Sequence, residues 1–176
     1  MTWIPIVAAC ITALVTIIGF IITYHASKRN FRQELTKQKF NVQLSKLVDT
    51  PRALHSILHE MTKGKFTIDD RDGLDAIVGD VFAYGSRDAI ALLTKMMENL
   101  RNNEYREECQ TKWENEVMSN LVLLLCQVKY DLTGVELNVY QWIRSNMADD
   151  EDGKNELYAT SIEIAKQLGI LNFYDN

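Results

Sequence analysis

Trp3 to Tyr24 reads WIPIVAACITALVTIIGFIITY, twenty-two residues without a charge. As a helix this run is about 33 Å long, against a hydrocarbon core of about 30 Å. A core helix of that length in a soluble protein carries a polar face. Here the side chains offer only threonine hydroxyls, and Trp3 and Tyr24 stand at the two ends, where amphipathic rings favour a membrane interface. A cleaved signal peptide fits poorly. No Lys or Arg precedes the run, the run is too long, and Tyr24-His25-Ala26 is a poor cleavage site. The sequence therefore predicts a single transmembrane anchor over 1–27.

The flanks predict its orientation. Lys28, Arg29, Arg32, Lys37, Lys39 and Lys46 follow the run and are opposed only by Glu34. Positive charge stays inside, so the N-terminus is expected outside and the C-terminus in the cytoplasm, which makes this a single-pass protein of the inner (cytoplasmic) membrane. Lys28, Arg29, Arg32, Lys37 and Lys39 are the candidate contacts to lipid head groups, on a basic juxtamembrane helix over 28–50. Within the run, Ala9, Thr12, Thr16, Gly19 and Thr23 recur at steps of three and four. Small residues let helix backbones approach, so this stripe is the candidate packing face for a homo-oligomer or for another membrane helix.

The remainder, 51–176, reads as a cytoplasmic bundle of helices. Its charge differs sharply from that of the N-terminal part. Residues 1–66 hold nine Lys/Arg and three Asp/Glu, a net +6, whereas residues 67–176 hold ten and twenty-one, a net −11. Two prolines and eight glycines leave little room for the turns of an all-β chain. Pro51, with Thr50 as cap, predicts a helix start, and Leu54, Ile57, Leu58 and Met61 fall on one face. Asp69, Asp70 and Asp72 precede a second helix. Tyr84-Gly85-Ser86 predicts a break, with Gly85 left-handed and Ser86 capping a helix whose inward residues are Ile90, Leu93, Met96, Met97 and Leu100. A long helix is expected from Glu104 to Leu132, striped by Tyr105, Cys109, Trp113, Val117, Leu121, Leu124, Leu125 and Val128. Its end, LVLLLCQV, is apolar all round and should be the most buried stretch. Gly134 closes it. A helix near 136–147, an acidic loop ADDEDGKN and a last helix over 154–168 complete the chain.

Chemistry-bearing patterns are sparse. His55 and His59 share a helix face at a spacing that suits zinc, but Glu60 follows the second histidine and no third ligand lies near. The glycines of the two acidic stretches, Gly73 and Gly153, do not align with an EF-hand loop, because the first and twelfth carboxylates are absent. Phosphate-binding glycine loops, CxxC and GxSxG are absent as well. Cys109 and Cys126 are too far apart on one helix to bond. The −11 region argues against nucleic acid as a partner. No cofactor, metal or catalytic residue is assigned, and an enzyme is not expected.

FAYGSRDAIALLTKM (Phe82–Met96) and LVLLLCQVKYDLTG (Leu121–Gly134) together resemble a loose group of small bacterial proteins. These have one N-terminal transmembrane helix, a basic juxtamembrane helix and a helical cytoplasmic domain. They show a Tyr-Gly-Ser break and an apolar helix ending in a basic residue and Asp-Leu-Gly; Thr133 is inserted here. The resemblance implies this architecture and a bacterial or prophage origin, and no activity. The expected class is all-α, a membrane-tethered module that binds a protein partner. The alternative is an oligomeric membrane effector or pore component gated by its cytoplasmic domain.

Overall fold

The computed structural model describes residues 3–63, 71–147 and 151–170, with the side chains of 4–15, 71–72 and 103–104 outside the description. Contacts divide the chain into two units, Met1–Val42 and Gln43–Asn176. Every described element is a helix.

The first unit is formed by α1 (Trp3–Leu47), whose last five residues belong to the second unit. No Pro or Gly follows Gly19 in this helix, so nothing interrupts its hydrogen-bond ladder from the apolar run into the basic stretch. Thr23 Oγ1 donates to the Gly19 carbonyl at 2.8 Å, and Thr36 Oγ1 donates to the Arg32 carbonyl at 2.9 Å. Both hydroxyls are thereby satisfied inside the helix. Among the described residues, no helix is long and apolar enough to cross a membrane. The side chains of residues 4–15, over half of the apolar run, lie outside the description.

The second unit is built around α6 (Gln110–Thr133), which packs chiefly on α4 (Arg87–Arg101), α8 (Glu151–Leu168) and α2 (Thr50–Thr62). Leu121 to Val128 are buried without exception, as the all-round apolarity of LVLLLCQV predicts. Over this stretch α6 is enclosed by the helices it packs on. Gly134 ends α6 at φ 67°, a conformation that glycine alone adopts without cost. Gly169 ends α8 in the same way at φ 69°.

Several expectations need correction. Gly85 does not adopt a left-handed conformation. It follows the end of α3 (Arg71–Tyr84), and a Cβ there would stand 2.5 Å from the Val81 carbonyl oxygen, so the requirement for glycine is space and not φ. At α2 the position before the helix is Asp49, whose side chain makes no cap bond, and Thr50 is already helical and buried. In α4 the inward face is Ala89, Leu92, Leu93, Met96 and Asn99. Met97 and Leu100 are only partly buried, because the helix is turned to present its Leu92 side to α6.

The helix expected from Glu104 to Leu132 is two. α5 (Asn103–Glu108) and α6 are separated at Cys109, which sits at φ −138°, ψ 57° and is exposed. The reason is visible in one contact. The Tyr105 hydroxyl donates to Glu116 Oε1 at 2.9 Å, across eleven residues. In an unbroken helix those residues would be about 16 Å apart along the axis. The acidic stretch is also not all loop. Glu151 and Asp152 form the first turn of α8, where negative charge suits the helix dipole. α7 (Val139–Asn146) starts on Asn138, whose side chain accepts from the Gln141 N–H. Asp69, Asp70, the side chain of Asp72 and residues 148–150 lie outside the described residues.

Candidate functional site

Two regions hold the candidate residues. The first is α1. Thr16, Gly19 and Thr23 are exposed on it, and a Cβ added at Gly19 would meet nothing within 4 Å. The side chains of Ala9 and Thr12 lie outside the described residues. On a neighbouring face, Thr16, Ile17, Phe20, Ile21, Tyr24 and His25 line a shallow open groove of about 390 Å³. Its wall is almost wholly apolar, and Thr16, Tyr24 and His25 are the polar side chains among the six that line it. Lys28, Arg29, Arg32, Lys37 and Lys39 are all exposed, as contact with head groups requires.

The second region lies inside the bundle, where two separate motifs meet. Asp131 Oδ2 accepts the Ser86 N–H at 3.3 Å, and Asp131 Oδ1 accepts from Gln127 Nε2 at 2.8 Å. Ser86 Oγ caps α4 by accepting the Ala89 N–H at 3.2 Å, and Gln127 Nε2 also approaches it at 3.5 Å. The YGS break and the aspartate of the KYDLTG pattern thus form one structural joint between α4 and α6. Ser86 Oγ is committed to the cap, and its two partners, the Ala89 N–H and the Gln127 amide, are both donors rather than a base that could take its proton. Among the described residues, Gln127 Oε1 and Asn120 Oδ1 are buried acceptors without a hydrogen-bond partner.

A second polar joint ties α4, α5 and α6. Glu116 accepts from Asn99 Nδ2 at 3.1 Å as well as from Tyr105, while Trp113 Nε1 donates to the Asn99 carbonyl at 2.8 Å. The Arg106 guanidinium lies 4.9 Å above the Trp113 ring. Burial, then the bond to Glu116, pushes the Tyr105 phenol up to about 12. Burial also pushes the Cys126 thiol up to about 12, which makes it a poor nucleophile.

His55 and His59 do share a face of α2, with rings stacked at 6.4 Å. His55 also meets the Trp142 ring edge-on at 6.2 Å. An indole is no metal ligand, and among the described residues no three His, Cys, Asp or Glu side chains come together to hold an ion. The two joints were not legible as sites in the sequence, because their members stand up to 45 residues apart. No protein-family model matches the chain, and no curated protein or solved structure shows significant similarity to it.

Proposed function

We propose that this chain is a membrane-tethered interaction or regulatory module. The supporting observation is the uncharged run Trp3–Tyr24 followed directly by Lys28, Arg29 and Arg32. The run supplies the length and apolarity of a span, and the basic flank supplies both the orientation and the contact with anionic head groups. Residues 28–176 then stand in the cytoplasm. The bundle acts by binding a protein partner, and tethering raises its effective concentration for partners at the same membrane. Its core joints are helix caps and cross-braces, which suit a rigid docking body better than a reaction centre. The resemblance carried by Phe82–Met96 and Leu121–Gly134 favours a bacterial or prophage setting such as phage exclusion, defence or regulation of an envelope machine.

The experiment is alkaline extraction of membranes from cells making the full chain. An anchored chain stays in the pellet, and protease added to intact spheroplasts leaves the bundle uncut. Release into the supernatant would end the proposal.

The second reading is an oligomeric membrane effector or pore component. The stripe Ala9, Thr12, Thr16, Gly19 and Thr23 favours it, because Gly19 has open space around it and Thr23 has its hydroxyl satisfied within the helix. That reading requires dye leakage on overexpression and its loss in Gly19→Ile.

A further inference from the structure

We infer that α1 pairs with α1 of a second copy of this chain, parallel and in register, along the face carrying Ile17, Ile21, Tyr24, Phe31 and Leu35. Together with Lys28 and Gln38 these positions advance by alternating steps of four and three, the seam of a left-handed coiled coil. The seam crosses from the apolar run into the basic stretch without changing phase, as an unbroken helix allows. It lies roughly a third of a turn from the Thr16, Gly19 and Thr23 stripe at ~100° per residue. Ile17, Ile21, Tyr24 and Phe31 are each more than half exposed, at 56%, 54%, 62% and 63%. Isolated helices draw little stability from propensity alone, and a covered apolar face is what normally supplies it.

Two independent features select a second copy as the occupant. The first is shape. With Ile21 at position a, Ile17 and Tyr24 are d and Phe20 is g. In a parallel coiled coil the hole that receives an a knob is made of those four positions of the facing helix. Ile17, Phe20, Ile21 and Tyr24 are four of the six residues lining the α1 groove, so the groove lies where Ile21 of the second copy would pack.

The second is charge. Glu34 is the only acid between residues 25 and 48. In the same assignment it falls at g, and Lys39 falls at e of the next heptad. That is the pair that meets across a parallel interface. Two-fold symmetry makes the contact twice. Within one helix residues five apart do not face each other, so the pair is not an internal one. Lys28 at a and Gln38 at d are polar seam positions, which set register and favour one partner number over others. The parallel sense is also the one a shared membrane orientation imposes, and only there does the inference lean on the proposed anchor.

The test uses the full chain in mild detergent, with Cys10→Ser and Cys109→Ser to remove the other reactive thiols. Gln38→Cys places a thiol at a d position, beside its own symmetry mate, and Gln33→Cys places one on the outer face at f. Oxidation is expected to give covalent dimer from Gln38→Cys and little from Gln33→Cys. Glu34→Lys and Lys39→Glu are each expected to raise the dimer dissociation constant on the order of tenfold, and the double variant Glu34→Lys/Lys39→Glu to restore it. Monomer mass by light scattering, equal cross-linking at both positions, or no rescue by the double swap would overturn the inference. A monomer that still binds phosphatidylglycerol vesicles through α1 would overturn it too, and would hand the seam to the lipid surface. A chain released from membranes that still cross-links at Gln38→Cys removes the anchor and keeps the pairing. A membrane-bound monomer does the reverse.

Discussion

Asp131 accepts the backbone N–H of Ser86 at 3.3 Å, so the last turns of α6 cap the first turn of α4 from 45 residues away. The same carboxylate holds the Gln127 amide at 2.8 Å. Asp131→Ala removes both acceptors, leaving the part-buried Ser86 N–H without its partner and the Gln127 amide with only its long 3.5 Å approach to Ser86 Oγ. A loss of about 1–3 kcal/mol is expected, read as a lower urea midpoint at unchanged slope. Asp131→Asn keeps one carbonyl acceptor and should lose less. Equal losses in the two variants would mean that the cap bond contributes nothing.

The glycines separate by space and by φ. Gly85→Ala drives a Cβ to 2.5 Å from the Val81 carbonyl oxygen and 3.1 Å from Val81 Cγ1. Backbone must shift, at a cost of about 1–3 kcal/mol. Gly79 lies within α3 and is exposed, and a Cβ added there would meet nothing within 4 Å. Gly79→Ala should therefore stabilise by about 0.5–1 kcal/mol. Thermal melts of the two variants are expected to move in opposite directions.

The cysteines give a pH prediction. Cys126 is wholly buried and its folded-state value is pushed from 9.0 to about 12. A group whose folded value is raised keeps its full contribution below the unfolded value and loses it as pH climbs towards the folded one. Stability should thus fall between pH 9 and 12, with Tyr105 adding to the fall from pH 10 upward. Cys126→Ala should flatten that fall, measured by urea melts at pH 8, 9 and 10. In the native chain a thiol reagent should label exposed Cys109 quickly and Cys126 only on unfolding.

Lys154 is 5% exposed, and its ammonium bonds Glu151 Oε1 at 3.1 Å. Glu151 itself is 65% exposed, so the pair is solvated on one side and adds at most about 1 kcal/mol. The Lys154 side chain is only 6% exposed, so its long aliphatic stem is buried and the Glu151 end of the pair carries the contact with solvent. Lys154→Met should leave the melting temperature unchanged or higher, whereas Lys154→Ala should lower it. A large loss in Lys154→Met would show that the ion pair outweighs the stem.

Much of this fold was readable along the chain because the rules involved are local. Ser86 caps α4 as the YGS break predicts, and Gly134 ends α6 with positive φ. The all-round apolar stretch Leu121–Val128 became the buried centre. The same reading failed where a distant residue decided the outcome. Cys109 lies in an unbroken helical pattern, and the break there serves Tyr105 and Glu116, whose contact no periodicity announces. Gly85 looked like a left-handed cap, and only the path of the Val81 carbonyl explains why it is glycine.

The order of residues by itself determined an all-helical chain, an uncharged N-terminal run with a basic flank, and an acidic remainder. Period, apolarity and capping act within a few turns and need no knowledge of partners. Tertiary structure alone decided that the YGS break and the KYDLTG end form one joint, and that α4 turns its Leu92 side inward. It also decided that His55, stacked on His59 along α2, meets the edge of the Trp142 ring from α7. Those outcomes depend on which surfaces meet when α6 is enclosed, and that is set by the packing of the whole bundle rather than by any one segment.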